Sequence, residues 1–310
     1  MKYKDWLAEW LRNYVKPTTK EKTYTRYAET VRLHIAPRLG ELQTADISPL
    51  DLQRTVTELL TSGNLKTGKG LSANSVNVIV SVIQASLKTA FAAGVTTEYV
   101  GDKVRRPKIV EKSVTCFSLA EQRKIEEAVL KSKSDKHFGV LLCLYTGLRI
   151  GELLALQWAD VDLVKCEISV TKTSFDAKDK DGKFCVHTNK PKTPSSQRVI
   201  PLPEQLLPLL KRLRRRSKSA YVVGNKRNNP ISVRSYQQTF KRLLKVNGVP
   251  YKNFHSLRHT FATRALECGM DVKTLSEILG HRSPTVTLNR YAHSFMEHKK
   301  EMMNRLGQNL

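Results

Sequence analysis

Acidic residues are scarce in this chain. Its 310 residues hold 28 Asp and Glu against 53 Lys and Arg, a formal net charge of +25. That imbalance disfavours basic partners and favours a polyanion, most simply nucleic acid. The shortage is uneven: from Lys190 to Leu266 there are 18 Lys and Arg and one acid, Glu204. Cysteine is sparse too. The five, at 116, 143, 166, 185 and 268, form no CxxC and no paired spacing. This excludes a disulfide framework and a cysteine-held zinc site, and suggests reduced thiols in a cytoplasm. No signal peptide is recognisable, and no apolar run approaches a membrane span, so no membrane partner is expected. The greasiest stretch, Phe138 to Tyr145, is the length of a core helix.

What is present reads as two domains. Hydrophobic residues make up 40% of the chain, enough for real cores. Trp6, Leu7, Trp10 and Leu11 recur at helical spacing, as do Tyr24, Tyr27, Val31 and Ile35, with Pro37 ending that segment. Ser48-Pro49-Leu50-Asp51 is a helix start, and a long helix runs from about Ala73 to Ala93. Residues 1–100 thus form a helical domain. Residues 101–117 change character, with Pro107 and β-branched residues favouring an extended, basic linker. Its Lys103, Arg105, Arg106 and Lys108 are candidates to track a phosphate backbone, against the commoner reading of solvated charge.

Ser118-Leu119-Ala120-Glu121 is a capping-box signature that opens a second domain, 118–310. Helices alternate there with three short runs, Glu167 to Thr173, Phe184 to His187 and Arg198 to Leu202, which read as one small antiparallel sheet. The intervening DAKDKDGKF resembles a calcium loop, but Ala177 and Thr188 would occupy the first and last ligand positions, where acids are required. It is a hairpin turn, and no metal site is expected. The fold class is therefore mainly α with a small antiparallel sheet in the second domain.

Chemistry concentrates late in the chain. His255-Ser256-Leu257-Arg258, Leu279-Gly280-His281 and Tyr291 bring two imidazoles, a guanidinium and a phenol close in sequence. Arginine presents a planar fork matched to phosphate oxygens, histidine exchanges protons near neutrality, and tyrosine can be a covalent nucleophile. Upstream, Arg149 and Glu152 in TGLRIGELLAL are three apart and share a helix face. Asn189 to Arg198 places Lys190, Lys192 and Arg198 on a turn beside the sheet, where they could reach a DNA backbone. Each residue also has a bland role: Arg149 as a partner of Glu152, His255 as a helix cap, His281 as a helix-terminal cation. His259 and His293 read as structural, Trp158 as core and Asp160 as a structural contact. The run from Lys211 to Arg216 reads as a solvated helix end.

TGLRIGELLAL followed by LQWADV, then PKT, HSLRHTFAT, LGH and the Tyr of NRYAH, in this order, resemble the tyrosine recombinases, or phage integrases, over about Ser118 to His293. The first domain resembles the family's SAM-like core-binding domain. The resemblance implies a two-domain clamp on double-stranded DNA and a site-specific recombinase of a mobile element. It implies that Arg149 and Arg258 clamp the scissile phosphate and that Lys192 protonates the leaving 5′ oxygen. His255 would assist proton transfer, His281 would bond the phosphate, and Tyr291 would form a 3′-phosphotyrosine. Glu152 would support them from behind. No cofactor, metal or ATP is implied. A homotetramer on DNA, held by the tail 294–310, is implied, with excisionase or DNA-bending accessory proteins as further partners in a bacterial cytoplasm. The chain departs from many integrases of mobile elements in opening directly on the core-binding domain, so the expectation is either that it acts like the simpler Xer-type enzymes or that arm recognition is absent from this chain. A type IB topoisomerase and a non-catalytic helical DNA-binding regulator stand as alternatives.

Overall fold

The computed structural model describes residues 1–110, 114–178, 183–189, 197–225, 229–291, 303–304 and 306–308. The chain forms two compact units, Met1–Lys112 and Ser113–Leu310. The first is helical: α1 (Tyr3–Trp10), α2 (Lys16–Thr18), α3 (Glu21–Thr30), α4 (Ala36–Leu39), α5 (Pro49–Ser62) and α6 (Ala73–Ala92). Helix α5 opens on a capping box, with Ser48 and Asp51 each bonding the other's backbone N–H. The helix expected to end at Pro37 instead runs on to Leu39. A π-helical turn, Val31–Ile35, precedes Pro37, and a second, Leu11–Val15, precedes Pro17. Proline lacks the N–H that an α-turn demands and crowds the carbonyl one turn back; the wider turn relieves both.

Helix α6 corrects the expectation about membrane spans. By length and composition it could cross a membrane. Here its Val76, Ile79, Val80, Ile83 and Leu87 form the core of the first unit, against Trp6, Leu7 and Trp10 of α1 and Leu52, Val56 and Leu59 of α5. The indole N–H groups of Trp6 and Trp10 donate to the Ser86 carbonyl and Thr89 hydroxyl, both at 3.1 Å.

Both ends of the expected linker belong to domains. Val104 is buried in the first core, the Arg105 amide donates to Gln53 Oε1 at 3.0 Å, and Asn77 donates to the Pro107 carbonyl at 3.0 Å. At the other end Phe117 is fully buried in the second unit, where its amide donates to Thr260 Oγ1 at 2.9 Å.

The second unit comprises α7 (Leu119–Leu130), α8 (Phe138–Thr146), α9 (Ile150–Ala155), β1 (Val161–Asp162), β2 (Glu167–Val170), β3 (Thr173–Lys178), β4 (Phe184–Asn189), β5 (Arg198–Pro201), α10 (Leu207–Arg216), α11 (Val233–Val246), α12 (His255–Glu267), α13 (Val272–Leu279) and α14 (Pro284–Tyr291). The Ser118–Glu121 capping box opens α7 as expected. The strands form two sheets rather than one. Antiparallel β1-β2-β5 pairs Ile168 with Ile200, while β3 and β4 form a separate hairpin in which Phe175 stacks on its partner His187. Burial divides them: Ile168, Val170 and Ile200 face the main core, whereas Phe184 on the hairpin is exposed. The turn once compared with a calcium loop, 179–182, lies outside the described residues. Helix α8 is buried along almost its whole length and packs against α12. Trp158 is core, as expected, and carries Arg214 over its ring. Asp160 accepts from the Gln157 amide at 3.0 Å.

Candidate active site

Two helix ends build the site. Helix α8 stops at Gly147, whose φ of 65° is left-handed. A Cβ there would stand 2.6 Å from Phe261 and 2.8 Å from Leu279, so the turn is pressed against α12 and α13. Leu148 is buried, and Arg149 follows as the residue before α9. Its amide donates to Glu152 Oε2 at 2.9 Å and its Nη1 to Oε1 at 2.8 Å. The spacing of three that put both on one face is thus used twice, by backbone and by side chain.

Helix α13 ends in the same way, at Gly280 with φ 62°. The amides of Gly280 and His281 fold back onto the carbonyls of Glu277 and Ser276, each at 3.0 Å. The last carbonyls have no intrahelical donor and carry the negative end of the helix dipole. Three arginines meet them in succession. Arg198 Nε donates to Ile278 O, Arg258 Nη2 to Leu279 O at 2.7 Å, and Arg149 Nη2 to Gly280 O at 3.2 Å. Arg258 also donates from Nη1 to Gly147 O at 2.7 Å, joining the two helix ends.

Charge in this cluster is unbalanced. Glu152, with 4% of its side chain exposed, also accepts from Arg198 at 2.9 and 3.2 Å. Among the described residues the cluster therefore holds three guanidiniums and one carboxylate. Burial alone would raise the Glu152 pKa, but the hydrogen bond and charge of Arg198, with Arg149, hold it below the usual carboxylate value. Burial, then the neighbouring Arg149, push Arg258 down to about 9, which leaves it charged at neutrality. Among the described residues guanidiniums thus outnumber carboxylates here, with Arg258 and Glu152 buried and Arg149 partly open to solvent, a setting that favours an anion such as phosphate.

Arg198 departs from expectation. It was a candidate for DNA contact, yet its side chain is 7% exposed and faces the interior. Strand alternation explains this: on β5, Val199 points outward and Ile200 inward, so Arg198 shares the inner face with Ile200. A Cβ on Gly280 would meet its Nη1 at 3.0 Å.

Helix α12 carries the imidazoles. Asn253 Oδ1 accepts the Ser256 amide at 3.1 Å at its start, and His255, Arg258 and His259 line up along its first turns. The His255 and His259 rings stand edge to face, centroids 4.5 Å apart. His259 Nδ1 lies 2.7 Å from Tyr291 Oη. Tyr291 ends α14, is 2% exposed, and packs with Ala262, Ala265, Leu266, Leu275 and Leu279. His281 Nδ1 lies 2.7 Å from the hydroxyl of buried Thr287.

The structure thus brings Arg149, Glu152, Arg258, His281 and the His255-His259-Tyr291 group together around α12, α13 and α14. His259, read from sequence as structural, bonds the phenol. The available signal was its place four residues after His255, on the same helix face. Lys190 and Lys192 lie outside the described residues, as does most of the tail 294–310. In the first unit Lys103 pairs with Glu98, and Arg106 bonds Ser81 and Gln84, while Arg105 and Lys108 are exposed.

Comparison with known proteins identifies the family. Residues 117–298 match the phage integrase family, and residues 2–60 match the phage integrase N-terminal SAM-like domain. The chain is 31% identical to a tyrosine recombinase XerC-like protein of Caldanaerobacter subterraneus subsp. tengcongensis, over 98% of this chain and 82% of that one. It is 25% identical to the transposase from transposon Tn916 of Enterococcus faecalis, over 95% and 75%. The fold is similar to the Tn1549 transposon integrase in complex with circular intermediate DNA, at TM-score 0.81, 23% identity and 99% of each chain. It is also similar to a lambda integrase dimer bound to a core site, at TM-score 0.68, 21% identity, 92% of this chain and 97% of that one. The chain belongs to the phage integrase family, the tyrosine recombinases, which are DNA strand-transferring enzymes.

Proposed function

We propose that this chain is a site-specific recombinase of a mobile element that cuts and rejoins double-stranded DNA through Tyr291. The observation that carries this reading is the convergence of Arg149, Arg198 and Arg258 on Glu152 and on the carbonyl ends of two helices, next to a buried phenol held by His259. Arg149 and Arg258 hold the non-bridging oxygens of the scissile phosphate, where charge grows in the transition state. Tyr291 attacks phosphorus and forms a 3′-phosphotyrosine, His255 and His281 assist, and Lys192 protonates the departing 5′ oxygen. Cationic side chains supply the charge a metal would supply, and the covalent ester conserves the bond energy, so neither divalent metal nor ATP is consumed. Names of relatives support the setting: the Tn916 transposase and the Tn1549 integrase are proteins of transposons. Strand exchange between two duplexes takes four protomers, the tail 294–310 joining neighbours, in the cytoplasm. Excisionase or DNA-bending proteins are the natural accessories. Both units bind duplex DNA, with Arg105 and Lys108 contacting the backbone.

The test is covalent capture. Incubation with fragmented host DNA in EDTA is expected to give denaturant-stable protein–DNA adducts whose sequenced junctions converge on one site. Strict magnesium dependence refutes the mechanism, and junctions scattered over all sequences favour a topoisomerase. Tyr291→Phe should bind DNA and form no adduct; an adduct from that variant refutes the nucleophile. Truncation after Asn304 should impair synaptic assembly, and unchanged assembly rejects docking by the tail.

A further inference from the structure

We propose that His259, through Nδ1, is the general base that takes the Tyr291 proton, an inference that rests on Tyr291 being the nucleophile. Three observations converge. First, a phenol of ordinary pKa, about 10, is a poor nucleophile at neutrality and needs a proton acceptor as it attacks. Second, Tyr291 is 2% exposed, so bulk water is not at hand to serve. Third, His259 Nδ1 is 2.7 Å from Oη, within the reach a general base requires. His281, the other histidine next to α14, has its Nδ1 engaged with Thr287 Oγ1 at 2.7 Å.

The role of base requires one tautomer. With the proton on Nε2, Nδ1 accepts from the phenol, the better donor of the two. As Oη bonds to phosphorus, its proton passes to Nδ1 and His259 becomes imidazolium. The P–O5′ bond breaks, its electron pair leaves on the 5′ oxygen, and that oxygen is protonated by Lys192 under the reading above. In religation the 5′ hydroxyl attacks and gives its proton back to Lys192, the P–Oη bond breaks, and His259 returns its proton to Tyr291. The His255 ring, perpendicular to that of His259 with centroids 4.5 Å apart, stands one helical turn away on the same face. In the chain the base directly follows Arg258, whose guanidinium bridges Gly147 and Leu279.

The experiment measures single-turnover cleavage of a nicked duplex carrying the site recovered from adducts. Two versions are compared, one with the natural 5′ oxygen and one with sulfur in the 5′-bridging position. Sulfur leaves without a general acid, so it relieves loss of the acid but not loss of the base. His259→Ala and His259→Gln should both cleave about 100-fold more slowly on both substrates, the low end for general-base loss. Glutamine can accept the phenol hydrogen bond through Oε1 but cannot take the proton, so it separates placement from proton transfer. Lys192→Ala should recover on the sulfur substrate, and added imidazole should speed His259→Ala. DNA affinity and unfolding midpoint are measured on each variant. His259→Gln cleaving at the wild-type rate overturns the proposal, as does its recovery on sulfur. If His259→Gln fails to fold, imidazole acting on His259→Ala decides, and no stimulation overturns the proposal. Absence of an adduct from the wild-type protein, by contrast, overturns the recombinase reading itself.

Discussion

Replacing Glu152 by Gln removes the one carboxylate from a cluster of three arginines, and its consequence can be worked through from the contacts. Glu152 accepts the Arg149 amide and Nη1 at 2.9 and 2.8 Å and the two Arg198 nitrogens at 2.9 and 3.2 Å. With 4% of its side chain exposed, no water replaces what is lost. Removing one partner of a buried ion pair costs about 3–5 kcal/mol. Glutamine keeps the shape and one acceptor oxygen, so the lower end, about 3 kcal/mol, is expected. For a domain of this size that lowers the midpoint by about 6–12 °C. Thermal unfolding of the full chain, followed through the transition of the second unit, measures it. Added phosphate should restore part of the loss and should stabilise the variant more than the wild type, because the anion supplies the missing charge. The pH dependence has a definite sign. The folded carboxyl has a lowered pKa, so its contribution is present above the unfolded value, about 4.3, and is lost as pH falls through the folded one. Wild type and variant should differ fully at neutrality and converge in acid. A difference under about 0.5 kcal/mol at pH 7, the range of a neutral surface change, refutes the argument. So does a gap that widens as pH falls.

Other expectations follow from the same contacts. Arg198→Met should destabilise the second unit by about 2–3 kcal/mol, as loss of a buried charged hydrogen-bond donor does. It should leave the salt dependence of DNA binding unchanged; a slope reduced by about 1 would return Arg198 to the phosphate backbone. Gly147→Ala forces a left-handed residue against Phe261 at 2.6 Å and should cost about 2–4 kcal/mol. Gly248→Ala, equally left-handed but with open space around its Cβ, should cost only about 1 kcal/mol when both variants are compared by urea titration. Equal losses at the two glycines would show that packing beneath the Arg258 turn is not tight. Ser118→Ala removes the α7 cap and should cost about 1 kcal/mol without slowing cleavage.

Much of the site could be read from the chain because its logic is local. Arg149 and Glu152 stand three apart, and the Ser118 and Ser48 caps bond residues three away. Spacing along one helix is enough to infer such contacts. The missed features are those set by partners distant in sequence. Arg198 resembles any basic residue at a turn until pairing with β2 fixes which face of β5 is inner. The three strand-like runs are too short for their composition to say which pairs with which, and burial of Ile168 and Ile200 decided it. His259 follows Arg258 within a helix of weakly amphipathic composition, and only the placement of α14 turns it toward a phenol. The two π-helical turns leave no composition signal beyond the prolines they precede.

The means of holding the arginines bears on what they do. A carboxylate orients a guanidinium well but cancels its charge, and an arginine so neutralised has little attraction left for phosphate. A backbone carbonyl at a helix end orients nearly as well while leaving most of the charge in place. Here one carboxylate is shared by Arg149 and Arg198, and Arg258 is held by the carbonyls of Gly147 and Leu279. Both helices supplying those carbonyls end at a left-handed glycine, at positions 147 and 280. Each glycine lets the chain turn sharply enough to present its last carbonyls sideways to a cation. The arginines are held in place while, among the described residues, they outnumber the carboxylate that holds them. Under the proposed function that combination would suit a catalyst whose charge must be in place before the phosphate arrives, because little reorganisation would remain to be done when charge builds on the phosphoryl oxygens.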